Sequence, residues 1–192
     1  MQEIDYYFSP TSPWTYLGHA RLADVARKAG AKLNVKPVDY GVIFPQSGGL
    51  PLGKRAPQRQ AYRLVELKRW KEFLGLPLTL QPKFFPVDGT RAACLVCAAD
   101  DAKRMAVAGD LMHAVWVDEK DIADPATLAA IAARHGVSDA APAIEAGRTR
   151  YEQFTREASA RGVFGAPTYV HREQLFWGQD RLDFLERALA GG

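Results

Sequence analysis

Residues Ile4–Gly18 read IDYYFSPTSPWTYLG, and the change of pattern within this stretch predicts a strand followed by a helix. The aromatic run Ile4–Phe8 is typical of a β-strand. Ser12 is a favoured N-cap residue, and Pro13 suits the first helical position because the N–H that proline lacks would be unpaired there anyway. A strand that ends at a helix N-terminus points free N–H groups and the positive end of the helix dipole at one place, which favours an anion.

Two interpretations of Ser12 are open from this stretch alone. Its side chain can simply cap the helix by accepting a backbone N–H. Alternatively, its hydroxyl can donate a hydrogen bond to an anion that is bound at the helix N-terminus. The stretch by itself favours the cap, because short motifs often match by chance.

The next part of the chain predicts a second strand, a long loop and a series of helices. Leu33–Val38 alternates as a strand does, so residues 1–40 predict a strand–helix–strand unit. Gly41–Pro57 is rich in glycine and proline and is expected to be a loop. From Gln58 onward the spacing of apolar residues indicates helices. Their expected extents are Gln58–Gly75, Thr90–Lys103, Val107–Asp118, Pro125–Gly136, Asp139–Ala146 and Thr149–Arg161.

The C-terminal segment predicts a β-hairpin and a final helix. Thr168–His171 and Gln174–Trp177 are short β-prone runs separated by two residues, which is a hairpin pattern. The last helix is expected over Arg181–Ala190. Pro167 stands directly before a strand, so it must lie in a turn and is a candidate for the cis form.

Length and composition are those of one domain, or of one domain that carries an insertion. The chain has 192 residues, 47% of them hydrophobic, and its 25 Lys+Arg against 22 Asp+Glu give a net charge of +3. A charge this small does not indicate a nucleic-acid partner. No stretch has the apolar length needed to cross a bilayer, so no membrane association is expected. Met1–Asp5 lacks a basic segment followed by an apolar run, so we expect no signal peptide and a cytoplasmic protein.

The two cysteines, Cys94 and Cys97, have the C-x-x-C spacing of redox pairs. They lie in an alanine-rich segment with helical spacing and no strand before it. That context favours buried cysteines that act as small apolar side chains. The four histidines fall in separate predicted elements and form no ligand pattern with the cysteines, so we predict no metal site.

Three separated motifs resemble one known family. The opening Asp5–Leu17 is similar to the start of 2-hydroxychromene-2-carboxylate isomerases and kappa-class glutathione transferases. Phe164–Thr168 resembles the segment around their cis-proline, and Phe176–Leu182 resembles their near-terminal W-G-x-D-R motif. The resemblance implies an α/β protein with a thioredoxin-like fold, in which an all-helical domain is inserted between the βαβ and ββα halves. Residues 1–40 and 163–192 would form the thioredoxin-like domain, and residues 41–162 the loop and helical insertion.

The same resemblance implies a glutathione site in which Ser12 is the catalytic residue. Ser12 and Thr15 occupy the positions at which thioredoxin-fold oxidoreductases keep the two cysteines of C-x-x-C, so no disulfide can cycle there. Ser12 would instead donate a hydrogen bond to the thiolate of bound glutathione. The backbone of Ala166, held by Pro167, would pair with the cysteinyl part of glutathione.

Polar and charged residues are implied for the two ends of glutathione. Gln179 and Asp180 match positions that bind the γ-glutamyl end, and a plain helix N-cap is an equal alternative for Asp180. Arg59 falls where kappa-class enzymes carry a lysine that meets the glycyl carboxylate, and a solvated surface arginine is its alternative. The resemblance departs at Ser47–Leu50, where related enzymes offer an asparagine and this segment contains none.

The function that the resemblance implies is glutathione-dependent isomerisation of 2-hydroxychromene-2-carboxylate-like substrates to trans-o-hydroxybenzylidenepyruvate-type products in aromatic compound catabolism. The thiolate would add to the conjugated substrate, the bond would rotate, and elimination would return glutathione. A kappa-class-like transferase that conjugates small electrophiles is the first alternative, and a non-catalytic glutathione-binding protein is the second. The expected partners are a small aromatic substrate, glutathione and a second copy in a homodimer.

Overall fold

The computed structural model describes residues 1–191, which contain four strands and eight α-helices. The strands are β1 (Glu3–Phe8), β2 (Lys32–Pro37), β3 (Thr168–His171) and β4 (Gln174–Trp177). The helices are α1 (Pro13–Ala29), α2 (Tyr40–Ser47), α3 (Pro57–Leu74), α4 (Thr90–Ala98), α5 (Arg104–Trp116), α6 (Pro125–Arg134), α7 (Ala140–Ala160) and α8 (Leu182–Ala190). Not one of these eight helices combines the length and the apolar character that a membrane crossing requires.

The four strands form one mixed sheet in the order β2-β1-β3-β4. Strand β1 pairs in parallel with β2, where Ile4 lies opposite Leu33. It pairs antiparallel with β3, where Tyr6 lies opposite Tyr169, and β3 and β4 form the hairpin. A βαβ half and a ββα half therefore share the sheet, and six helices lie between them in the chain. This arrangement confirms the predicted thioredoxin-like fold with a helical insertion.

Both faces of the sheet are covered, because the side chains of β1 alternate between two buried clusters. Ile4 and Tyr6 belong to the larger cluster, which also contains residues of α1 and of the inserted helices. The Tyr6 ring stacks on Phe8 at 4.6 Å between ring centroids. Tyr7 points to the other face and packs with residues of α2 and α7. The division into residues 1–40 and 163–192 against 41–162 stays a prediction.

The ends of the first helix follow from local chemistry. Ser12 is its N-cap, Pro13 is its first residue, and Gly30 ends it in the left-handed conformation with φ 59°. A β-carbon would be unfavourable in that conformation, so glycine suits the position. The predicted start of α1 at Ser12–Pro13 and the two predicted strands on either side of the helix are confirmed.

The predicted loop Gly41–Pro57 is wrong in its first half, which is the helix α2. Asp39 caps this helix by accepting a backbone N–H at 2.7 Å, and Ile43 is buried on the sheet side. Pro45 lies inside the helix, where its ring removes one N–H donor. The cap and the buried apolar side chain offset that loss.

The two predicted helices Asp139–Ala146 and Thr149–Arg161 are wrong as separate elements, because they form the single helix α7. Gly147 does not interrupt it. A β-carbon at Gly147 would overlap the carbonyl oxygen of Cys94, so the glycine lets α4 and α7 approach closely.

Several other helix boundaries differ from the predictions, and α5 and α6 each end two residues before their predicted ends. The helix that was expected over Thr90–Lys103 ends at Ala98, because the next residues form a turn in which Lys103 N–H donates to the carbonyl of Asp100 at 2.8 Å. Helix α5 follows this turn directly and begins three residues before the predicted Val107. The final helix is preceded by a 3-10 turn, Gln179–Arg181.

Candidate active site

Ser12 lies at the N-terminus of α1, where its Oγ accepts the N–H of Thr15 at 3.3 Å. Its backbone is extended, as is usual for an N-cap residue. The capping interpretation is therefore confirmed, but it does not exclude the other one. An oxygen that accepts the capping N–H still carries its own hydrogen, and Ser12 lines a cavity into which that hydrogen can be donated.

The cavity beside Ser12 adjoins a second one, and together they form a single cleft. The first, here called the Ser12 compartment, holds about 470 Å³ and has aromatic walls that include Phe44, Phe85 and Phe164. The second, called the Asp180 compartment, holds about 540 Å³ and contains Asp180 and Gln179. The residues that line both compartments are Trp14, Arg55, Arg59, Arg63, Ala166 and Trp177. Of the five residues predicted to bind glutathione, Arg59, Ala166, Gln179 and Asp180 line the cleft with Ser12. Pro167 is not among the lining residues.

The segment that carries Ala166 is fixed from below. The hydroxyls of Tyr40 and Thr168 donate to the carbonyl of Gly165 at 2.8 and 2.6 Å. The Ala166–Pro167 peptide bond is cis, as predicted. Within residues 1–191 the backbone N–H and carbonyl of Ala166 have no hydrogen-bond partner. Both groups are therefore available to an extended ligand in the cleft.

Gln179 is held against α1 by Arg21. The guanidinium donates to the side-chain oxygen of Gln179 at 2.8 Å and to its backbone carbonyl at 3.2 Å. A β-carbon at Gly18 would lie 2.9 Å from the Gln179 Cβ, so the 3-10 turn packs tightly on the helix. Gln179 is almost fully buried and has a fixed position at the floor of the Asp180 compartment.

Asp180 lies inside the 3-10 turn and not at the cap of α8. The residue before α8 is Arg181, and no side chain among the described residues caps either the turn or the helix. The N-cap alternative for Asp180 is therefore wrong. The carboxylate is 40% exposed and accepts a hydrogen bond from Arg181 at 2.7 Å. Gly178 has φ 105° and leaves the space that the carboxylate occupies, since a β-carbon there would overlap it.

Three arginines form one wall of the cleft, and only Arg59 was predicted from the sequence. Arg59 is exposed, Arg55 donates to the carbonyl of Leu50 at 2.8 Å, and Arg63 is partly buried. The guanidinium of Arg63 lies 5.2 Å from the centre of the Phe85 ring. Burial and the nearby charge of Arg55 lower the pKa of Arg63 to about 10. The signal that was missed is the spacing of four residues, which places arginines 59 and 63 on the same side of α3.

Cys94 and Cys97 lie away from this cleft. Both are free thiols buried in α4, as expected for cysteines that act as small apolar side chains. Burial raises the pKa of the Cys97 thiol to about 12, so it carries no thiolate at neutral pH. In the described part of the chain, no three acidic, histidine or cysteine side chains are grouped as metal ligands.

Comparison with known proteins gives one consistent result. Residues 3–190 match the family model of the DSBA-like thioredoxin domain. A 2-hydroxychromene-2-carboxylate isomerase of Sphingobium xenophagum is 33% identical over 97% of each chain. A solved structure of a 2-hydroxychromene-2-carboxylate isomerase superposes with a TM-score of 0.86 at 26% identity, over 98% of this chain and 94% of that one. The kappa 1 glutathione S-transferase of Rattus norvegicus is 22% identical over 95% of this chain and 88% of its own length.

Proposed function

Because the chain belongs to the family of 2-hydroxychromene-2-carboxylate isomerases, with a DSBA-like thioredoxin domain, we propose that it is a glutathione-dependent isomerase. Its substrates are 2-hydroxychromene-2-carboxylate-like compounds, and its products are of the trans-o-hydroxybenzylidenepyruvate type. The observation that carries the proposal is the cleft itself. A serine hydroxyl at a helix N-terminus, the unpaired Ala166 backbone and an acidic residue opposite an arginine wall line one continuous space.

The charges along the cleft fit glutathione. The peptide has a carboxylate and an ammonium at its γ-glutamyl end, a thiol in the middle and a second carboxylate at its glycyl end. Asp180 supplies a carboxylate for the ammonium, and Arg59 supplies a guanidinium for the glycyl carboxylate. The free N–H and carbonyl of Ala166, a residue that lines the same cleft, match the peptide groups of the cysteinyl part.

Ser12 lowers the pKa of the bound thiol. A charge-assisted hydrogen bond contributes roughly 1.5–3 kcal/mol and a helix N-terminus about 0.3–1 kcal/mol more. At about 1.4 kcal/mol per pKa unit, these terms lower a thiol pKa of about 8.5 by about one to three units. The thiol is then largely ionised at neutral pH without a general base.

Bound glutathione supplies a nucleophile that adds reversibly to a conjugated double bond and so permits rotation about it. The tasks of the protein are to bind, to orient and to exclude water. The aromatic side chains of Phe44, Phe85 and Phe164 offer a planar ligand apolar walls next to Ser12. Because Ser12 donates to a charged sulfur and accepts from the Thr15 N–H, its hydroxyl needs no proton exchange during turnover.

A transferase that retains the thioether product is the second candidate, and the similarity to a kappa-class glutathione S-transferase favours it. One product assay separates the candidates. The purified protein is incubated with glutathione and a panel of hydroxychromene carboxylates and electrophiles, and absorbance and products are followed. Rearranged substrate with unchanged glutathione supports the isomerase, and a stable conjugate supports the transferase. If neither product forms, the protein binds glutathione without turnover. A cytoplasmic location and a homodimer stay predictions.

A further inference from the structure

One arginine in the cleft, Arg63, carries a positive charge that no acidic side chain of the described residues pairs with. The Nη2 atom of Arg63 is buried and has no hydrogen-bond partner in the described chain. Its guanidinium lies over the rings of Phe85 and Trp116, at 5.2 and 5.9 Å from their centres. Both rings lie within the range of a cation–π contact, which favours a guanidinium at this wall of the cleft. Arg63 therefore lines the cleft with a positive charge that no acidic side chain of the described residues pairs with.

The surroundings of Arg63 make this arrangement costly in the free protein. The positive charge of Arg55 lies close enough, together with burial, to lower the pKa of Arg63. The two acidic residues that line the cleft have other partners, since Glu66 pairs with Arg69 at 2.6 Å and Asp180 with Arg181 at 2.7 Å. A cluster of like charges around a cavity without a paired acid favours an anionic ligand.

The position of Arg63 distinguishes it from Arg59. Arg59 is exposed and is already assigned to the glycyl carboxylate of glutathione in the proposed function. Arg63 lies deeper, and its aromatic neighbour Phe85 is a wall of the Ser12 compartment. That compartment has no acidic lining residue in the part of the chain described, and its walls include the aromatic side chains of Phe44, Phe85 and Phe164. A planar aromatic ring with one carboxylate matches this combination of walls and charge.

We propose that Arg63, with Arg55 beside it, binds the carboxylate of the aromatic substrate and selects aromatic acids over neutral aromatic electrophiles. This inference rests on the proposed function, because it assigns the Ser12 compartment to the substrate. A guanidinium and a carboxylate form two parallel N–H···O bonds, so the contact orients the substrate as well as attracting it. A neutral ligand of the same shape leaves the positive charge of Arg63 without a counter-charge, so the site discriminates against it.

The test uses two probes that differ mainly in charge, trans-cinnamate and trans-cinnamamide. Each is titrated by calorimetry into the glutathione-loaded protein and into the variant Arg63→Met, which keeps an unbranched apolar stem against Phe85. We expect the variant to bind cinnamate at least about tenfold more weakly and to lose much less affinity for cinnamamide, because an amide carbonyl accepts from a guanidinium without the charge and without the second parallel bond. Lys68→Met is the control, because Lys68 lies on the same helix, is exposed and pairs with Glu72, and neither of these two residues lines the cleft. That control should bind both probes as the unmodified protein does.

Glutathione affinity gives the second readout. It should change less than about twofold in Arg63→Met, because Arg59 and not Arg63 meets the glycyl carboxylate. An equal loss for both probes, or no loss for cinnamate, overturns the proposal. A large loss of glutathione affinity with unchanged cinnamate binding also overturns it and assigns Arg63 to glutathione.

Two further measurements keep the result interpretable. If Arg63→Met does not fold, Arg63→Lys replaces it, since lysine keeps the charge but cannot make the bidentate contact. A severalfold loss for cinnamate alone is then expected, and unchanged binding overturns the proposal. The proposed function is tested separately on the unmodified protein. It fails if that protein neither binds glutathione nor rearranges a hydroxychromene carboxylate.

Discussion

The backbone N–H of Thr15 donates to the Oγ of Ser12 across 3.3 Å, so the residue proposed to hold the thiolate also caps α1. The two roles use different parts of one hydroxyl. Its oxygen accepts the capping N–H, and its hydrogen is left to donate into the cleft. Stability and activity are therefore both sensitive to Ser12, and a single alanine substitution affects them together.

Ser12→Ala should lower turnover by about 10–100-fold, which corresponds to roughly 1.4–2.7 kcal/mol of lost stabilisation. The loss of the donor should also raise the pKa of bound glutathione, which is measured from the thiolate absorbance as a function of pH. The same variant should lose about 0.5–2 kcal/mol of unfolding free energy, because the cap is lost as well. Unchanged kinetics would show that Ser12 caps the helix and has no role in turnover.

Ser12→Asp separates the two roles. Aspartate caps a helix about as well as serine, so the unfolding free energy should stay close to that of the unmodified protein. It has no hydrogen to donate and would repel a thiolate, so turnover should fall at least as far as in the alanine variant. A stable and fully active Ser12→Asp protein would contradict the proposed role.

Asp180→Asn tests the γ-glutamyl end of the site. The change removes a charge partner for an ammonium group, and a charge-assisted hydrogen bond contributes roughly 1.5–3 kcal/mol. The dissociation constant of glutathione, measured by calorimetry, should rise on the order of 10–100-fold. The melting temperature of the free protein should hardly move, because Asp180 caps no helix and its pair with Arg181 is exposed. Equal glutathione affinity in the two proteins would rule out the ligand role.

Much of the fold could be predicted because its signals are local. The aromatic run before Ser12, the cap-then-proline start at Ser12–Pro13 and the hairpin Thr168–Trp177 each depend on neighbouring residues. The structure confirms all three. The assembly of the cleft from residues far apart in the chain was available from the resemblance to a family and not from local pattern.

The parts that failed depend on tertiary contacts. Proline and glycine in Gly41–Pro57 predicted a loop, but the buried side of α2 and its Asp39 cap outweigh Pro45. The importance of Arg63 was invisible because its sequence environment is that of an ordinary amphipathic helix. Only the packing of that arginine on Phe85 shows that its charge is partly buried.

His19 should make stability depend on pH. Its neutral ring lies between two fixed partners, the hydroxyl of Tyr6 at 3.1 Å and the carbonyl of Met105 at 2.9 Å. A carbonyl only accepts, so Nε2 carries the hydrogen and Nδ1 accepts from Tyr6. Burial lowers the pKa of His19 from 6.5 to about 4. Between these two values the unfolded chain binds more protons than the folded one, so the unfolding free energy falls as the pH falls from 6.5 towards 4.

Titration of His19 should lower the unfolding free energy by about 2 kcal/mol when the pH falls from roughly 7.5 to roughly 5, since each pH unit between the two pKa values contributes about 1.4 kcal/mol. It is measured by urea unfolding at the two pH values. His19→Gln is the matched variant, because its amide can accept from Tyr6 and donate to Met105 without titrating. The fall in unfolding free energy should be smaller in this variant by about that amount. The same fall in both proteins would show that other groups cause it.

Gly147→Ala tests the close packing of α7, the helix that the sequence pattern predicts as two separate helices. In an exposed helix interior, replacing glycine by alanine stabilises a protein by roughly 0.5–1 kcal/mol. At Gly147 the new β-carbon would overlap the carbonyl oxygen and carbon of Cys94, which are backbone atoms of α4. Helices α4 and α7 would have to move apart, at a cost of about 1–3 kcal/mol. Gly147→Ala is therefore expected to lower the unfolding free energy, although helix propensity alone would raise it, and urea unfolding measures the change.

Gly53→Ala is the control, because a β-carbon at Gly53 meets no heavy atom within 4 Å, and that variant should be neutral or slightly stabilised. An unfolding free energy for Gly147→Ala equal to or above that of the unmodified protein would mean that the two helices do not pack as closely as the fold requires.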